Sequence, residues 1–224
     1  MNASVAWALL LKDLRTEWRS RDRLVAMIVF SFLVIVVFQF AWPPMDSKEM
    51  LRFAPGVLWV TYVFAAIIGL GRTFAMELEN DAMTALALAP GTRGWIFLGK
   101  ATATWILITT VQAMTAFVFT LFFRVDLWQG IAGSALIVAL ANVSICSVGT
   151  LLSAMSVRSR FRDVLLPVLL IPTLIPVLMP AVRGRTSTFA GEAPPSDAPQ
   201  PLIVIGGVSS ILCFLPFAYV LDEQ

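Results

Sequence analysis

The chain has 224 residues, 58% of them hydrophobic and 13% charged, with 16 Lys and Arg against 14 Asp and Glu, two cysteines and no histidine. A net charge of +2 gives no reason to expect nucleic-acid binding, and the absence of histidine removes the side chain most used for proton transfer and metal ligation. The polar segments are too short to bury a core of their own, so residues 1–224 are expected to form a single all-α integral membrane domain.

In chain order, residues 4–23 come first. Trp7, Leu10, Leu11, Leu14 and Trp18 recur at helical spacing along one stripe, and Lys12, Arg15, Arg19 and Arg23 cluster on a flank. This pattern predicts an interfacial amphipathic helix lying in the headgroups, tryptophans inward and arginines against anionic lipid. It is either a plain anchor or a lever that passes motion from a cytoplasmic partner to the first span. That span, residues 24–42, contains no charge and has no small-residue cleavage site before Pro43-Pro44, so it is not a signal peptide.

A second span is expected over residues 55–71, followed by a polar insertion, residues 72–100, carrying Glu77, Glu79 and Asp81. Helix-forming composition over 74–89 and the breaker pair Pro90-Gly91 predict a short acidic coupling helix, shaped to dock on another protein or merely to connect two spans. Residues 94–100 have the G-x-x-x-x-G-K spacing of a phosphate-binding loop. Ala101 stands where a hydroxyl would hold Mg²⁺, and no strand precedes the run, so nucleotide binding is rejected.

Further spans follow at about residues 101–123, 131–155, 164–182 and 202–221. Cys146 and Cys213 lie inside two of them without metal-ligand spacing. Pro167, Pro172, Pro176 and Pro180 mark the fifth as a bent helix, expected to pack inside the bundle or an assembly interface and to act as a hinge. The Pro-, Ser-, Thr- and Gly-rich residues 183–201 are expected to form a mobile extracytoplasmic loop.

No Asp, Glu, Lys or Arg is expected within a span, which leaves Gln112, Asn142, Ser147 and similar groups for interhelical hydrogen bonds, with Gly149, Ser153, Gly206 and Ser210 permitting close contact. Lys12, Arg15, Arg19, Arg21, Arg23, Arg72, Arg93, Lys100, Arg158, Arg160 and Arg162 fall on one side of such a bundle. Only Lys48, Arg52, Arg124, Arg183 and Arg185 fall on the other. The positive-inside tendency therefore puts both termini in the cytoplasm.

A six-span subunit with no catalytic site of its own and cytoplasmic elements shaped for a partner has the plan of an ABC-type permease half. The run Ala54-Pro55-Gly56-Val57-Leu58-Trp59-Val60 closely resembles the signature of the CcmB family, the haem exporter permease of cytochrome c maturation. The resemblance continues through residues 77–81, Leu86-Ala87-Leu88-Ala89-Pro90, Lys100, the Pro-rich residues 166–179 and Pro216-Phe217-Ala218, with departures at Asp81 and Thr84. It implies a bacterial inner-membrane subunit that works with a separate ATPase, a haem-handling membrane subunit and a haem chaperone, with membrane lipid around it and room for a second copy. ATP would act through the partner, and haem would be a substrate of the complex rather than a cofactor of this chain. Arg72, Glu77, Glu79, Asp81 and Leu86 are then the expected partner-coupling residues, and Pro55, Gly56, Trp59, Pro90 and Lys100 the family signature. The residues alone equally allow an export permease of the ABC-2 type for another hydrophobic or lipid-linked substrate, or a passive assembly scaffold.

Overall fold

The computed structural model describes residues 2–42, 47–79, 93–123, 131–157, 159–189 and 199–222. The described residues form helices α1 (Asn2–Ser20), α2 (Asp22–Ala41), α3 (Ser47–Gly71), α4 (Ala75–Glu79), α5 (Arg93–Phe123), α6 (Ile131–Ser156), α7 (Arg162–Phe189) and α8 (Pro199–Asp222), with no strand among them. Six are long and apolar enough to cross a bilayer, α2, α3, α5, α6, α7 and α8, which makes this a multi-pass membrane protein. Both described ends of the chain lie at the same end of the bundle, where α1 packs on the start of α5 and the last turns of α8 reach Gly94.

Helix α1 ends abruptly at Arg21, the one non-glycine residue with positive φ (58°) among the described residues. A left-handed residue costs about 1 to 2 kcal/mol, and Glu17 offsets it. Its carboxylate accepts the Leu24 amide at 3.0 Å, capping α2, and the Arg23 Nε at 2.7 Å, so the corner between α1 and α2 closes around a buried ion pair. The face of α1 turned to α5 carries Ala6 and Leu9. The tryptophan stripe is on another side: Trp7 is 62% and Trp18 75% exposed, left uncovered by the protein.

Helix α3 is the most deeply packed span and α2 the least. Helix α6 binds the rest together, packing on α5, α7 and α8, and it buries Ser144, Ser147, Thr150 and Ser153 along its length. Small residues permit this. Gly149 leaves room for Leu70, whose carbonyl accepts the Ser153 hydroxyl at 2.7 Å, and Ser147 and Ser210 share a 2.9 Å hydrogen bond where Gly206 approaches Ser144. Between α5 and α6, Gln112 and Asn142 exchange two hydrogen bonds (3.1 and 2.6 Å), and Asn142 also donates to Thr109 at 3.0 Å.

Three expectations about the spans are corrected. Helix α5 starts eight residues before Ala101, because Trp95-Ile96-Phe97-Leu98 extends the apolar run upstream, and this puts Lys100 within the spanning helix. Helix α7 continues to Phe189, so residues 183–189 are helix rather than loop, with Gly184 and Arg185 buried. The spans therefore do hold charge. Finally, α7 passes through all four prolines without interruption, and its inward stripe is Leu166, Leu170, Leu174, Val177 and Ala181. Pro172 and Pro176 fall on the opposite side and are exposed, while Pro167 and Pro180 are half-buried, so the prolines are not packed inside the bundle.

The Gln112–Asn142 exchange generates a first prediction. Gln112→Leu or Asn142→Leu alone should lower stability by about 1 kcal/mol, while the double variant should lose less than the sum, because neither amide is then left unpartnered. Unfolding of the four proteins in mild detergent measures the coupling.

Candidate functional site

The residues that carry chemistry gather at the α1 end of the bundle. After α3, the turn through Arg72, Thr73 and Phe74 feeds the short helix α4, which lays Glu77 between α1 and α5. Phe74 anchors that turn in a small separate core with Ile96, Phe97, Ala101 and Phe217, its ring 6.1 Å from that of Phe217. Gly99 lets α1 come close: a Cβ there would stand 2.8 Å from the Ala6 carbonyl oxygen. Gly94 similarly seats the ring of Phe214. The glycines of the phosphate-loop-like spacing are thus helix-contact glycines, and the spacing has a packing origin.

Lys100 lies at the centre, with its side chain 1% exposed. Its ammonium reaches Asp13 Oδ2 at 3.0 Å on α1, Glu77 Oε1 on α4 and the Thr73 carbonyl at 3.4 Å, so its three N–H groups face three acceptors, and Phe74 lies 5.3 Å away. Lys12 adds a second cation to Glu77 Oε1 at 2.9 Å. Two ammoniums and two carboxylates make a neutral cluster that ties three separate segments together. Glu77 Oε2 is buried and makes no hydrogen bond among the described residues.

The protonation preferences follow from this geometry. Burial opposes ionisation of Glu77, but the Lys100 and Lys12 ammoniums outweigh it and hold the carboxyl below its usual 4.5. Burial likewise works against charge on Lys12, and Glu77 and then Asp13 more than offset it, raising its value above 10.5.

Beside the cluster, where α2, α3 and α7 meet, a cleft of about 650 Å³ opens at the same end. Its charged lining is Glu17, Asp22, Arg23, Arg72, Arg162 and Asp163. Of the residues expected to couple to a partner, Arg72 is exposed and lines this cleft, whereas Glu77 is buried against its own chain. Glu79 falls in α4, and Asp81, Leu86 and Pro90 lie outside the described residues.

The signature run lies in α3 towards the opposite end of the bundle. Ala54, Pro55, Val57, Leu58 and Trp59 are buried, Gly56 is half-buried, and the Trp59 ring meets Tyr62 edge-on at 5.7 Å. A model of the CcmB protein family matches residues 4–221. The chain belongs to the CcmB family. Among similar curated proteins, the Heme exporter protein B of Paracoccus denitrificans is 28% identical over 167 residues, 74% of this chain and 75% of that protein. The protein of the same name from Rhodobacter capsulatus is 27% identical over 169 residues, 74% and 75% of the two chains. That of Haemophilus influenzae is 26% identical over 165 residues, 72% of each. In this CcmB-family chain, Asp13 and Glu17 are the charged residues that sequence reasoning passed over, while Lys12 was read only as part of a lipid-facing flank and Arg185 only as a loop charge. The available signal was the i, i+4 pair Asp13 and Glu17, placed off both the tryptophan stripe and the arginine flank.

Lys100→Met should leave Asp13 and Glu77 only the half-exposed Lys12 as a cation and destabilise the protein by about 3 kcal/mol, as loss of one partner from a buried ion pair does. The pH dependence has a definite sign. With the Glu77 carboxyl held below 4.5 in the folded state, its contribution is fully present above that value and is lost as pH falls through the lower folded-state value. Glu77→Gln should flatten this acid limb of the unfolding temperature measured in detergent.

Proposed function

We propose that this chain is the membrane permease subunit of a haem-export complex of cytochrome c maturation in the bacterial inner membrane, driven by ATP hydrolysis in a separate subunit. Family membership and the name Heme exporter protein B carried by its relatives support the export role. The observation that carries the coupling is the buried Asp13–Lys100–Glu77 cluster, which makes α1, the segment after α3 and the third span one mechanical unit.

In this reading the α1 end is cytoplasmic, consistent with its excess of Lys and Arg. The ATPase docks on the segment that follows α3, through Arg72, Glu79, Asp81 and Leu86 and the mouth of the cleft between α2, α3 and α7. Glu77 has a different part: it anchors the segment, so that displacement on ATP binding is passed to α1 and α5. The cleft is where the first, second and fifth spans would close or part, and the lipid-facing prolines of α7 give that helix places to bend. Haem-handling membrane and chaperone partners would receive or supply the haem.

Purification in mild detergent, followed by ATP hydrolysis with and without the haem chaperone, tests the assignment. A co-eluting ATPase stimulated by the chaperone is expected. An ATPase indifferent to it would point to a permease for another hydrophobic substrate, and none at all to a passive scaffold. Arg72→Glu should cut the co-eluting ATPase about tenfold, equivalent to about 1.4 kcal/mol of interface energy, at unchanged unfolding temperature. Because Cys146 and Cys213 are buried, Asp22→Cys and Asp163→Cys across the cleft can be bridged by a bifunctional maleimide. The bridge should abolish cytochrome c maturation while the ATPase stays bound, and undiminished maturation would favour the scaffold.

A further inference from the structure

A second cavity, of about 310 Å³, opens between α5 and α6 towards the end of the bundle opposite α1. It runs about 16 Å along α5 from Thr109 to Thr120. Ala113 and Phe117 on α5 and Ile131 and Ala135 on α6 line it and are exposed, so the groove is open sideways to lipid. At its inner wall stands Arg185 of α7, a residue only 3% exposed, with its guanidinium 5.4 Å from the Tyr62 ring. Gln112 and Thr109, already engaged with Asn142, form the polar floor.

A guanidinium buried near the end of a spanning helix is an uncommon placement, and ionisable groups inside membrane bundles mark function. Here it lies along a narrow groove with apolar sides and a lateral opening, at the small end of the size range for ligand pockets. We propose that this groove binds an amphipathic acid from the bilayer, its phosphate or carboxylate head group against Arg185 and its chain along Ala113, Phe117 and Ala135. Arginine suits that partner because its planar fork donates two parallel hydrogen bonds to a carboxylate or phosphate. The site is independent of the export reading, since it concerns lipid occupancy and involves neither ATP nor haem.

Native mass spectrometry of the full-length chain in neutral detergent, titrated with phosphatidylglycerol, oleate and phosphatidylcholine, tests the proposal. Phosphatidylglycerol or oleate should bind at least about tenfold more tightly than phosphatidylcholine, whichever of the two head groups proves stronger, and excess inorganic phosphate should not displace it. Arg185→Gln should erase the preference, while Arg183→Gln, on the exposed side of the same helix, should keep it. Should Arg185→Gln fold poorly, Ala113→Phe fills the groove from an exposed position and should block binding at unchanged unfolding temperature. Equal affinity for the acidic and zwitterionic lipids, displacement by free phosphate, or tight binding retained by folded Ala113→Phe would overturn the proposal.

Discussion

An ammonium removed from water must find acceptors for all its protons, and the α1 end of this protein is organised around that requirement at Lys100. The effective penalty for burying such an ion is several kcal/mol, recovered only when the geometry and the remaining hydrogen bonds are good. Lys100 meets it with acceptors from three segments: a carboxylate from α1, a carboxylate from α4 and a backbone carbonyl from the turn after α3. The first requires that α1 pack against the start of α5, and the other two that the chain after α3 turn towards Lys100. Gly99 makes the first possible by removing the Cβ that would strike Ala6, and Phe74 makes the second possible by filling the small core under the turn. A single buried charge thus specifies how α1 and a connecting segment are placed on a membrane bundle.

The bundle itself is held by different means. Apolar contact between helices gains little where lipid is as apolar as leucine, so the spans depend on close approach and shared polar groups. Helix α6 supplies both, through Gly149 and Ser153 against Leu70, Ser147 against Ser210, and Asn142 against Gln112 and Thr109. Helices α2, α7 and α8 present their remaining faces outward, and the proline side of α7 is one of them. A proline on a lipid-facing side frees a carbonyl and removes a steric limit to bending without opening a void in the core.

Most of the fold was legible in the sequence because runs of about 20 apolar residues have few alternatives to a spanning helix. The small residues of α6 and α8 were legible for a similar reason, since close approach demands them. Charges near span ends were harder. Lys100 reads as a boundary because a lysine interrupts a hydropathy window, yet Trp95-Ile96-Phe97-Leu98 upstream continues the helix, and burial of the lysine depends on Asp13, far away in sequence. Arg185 was hidden by the Pro-, Ser- and Gly-rich composition around it, which reads as loop although α7 extends to Phe189. The α7 prolines were legible as a pattern but not as a face, because their side is decided by which leucines turn inward. In each case the missing information was a partner on another element, which no local pattern carries.

The two polar features of α5 are joined by one continuous helix. Lys100 stands near its start, Gln112 about 18 Å further along and Thr120 beyond that, all on the helix Arg93–Phe123. Pulling the segment after α3 away from Lys100 would leave the buried Glu77 carboxylate without its cations and Lys100 without one of its two carboxylates, so movement of α4 together with α5 is cheaper than separation. A displaced α5 must in turn strain or carry with it the Gln112–Asn142 exchange, and with it α6, which forms the other wall of the groove beside Arg185. The charge cluster at one end and the lateral groove towards the other therefore share a mechanical element. The apolar length of α5 between them contains no proline or glycine at which the motion would be lost.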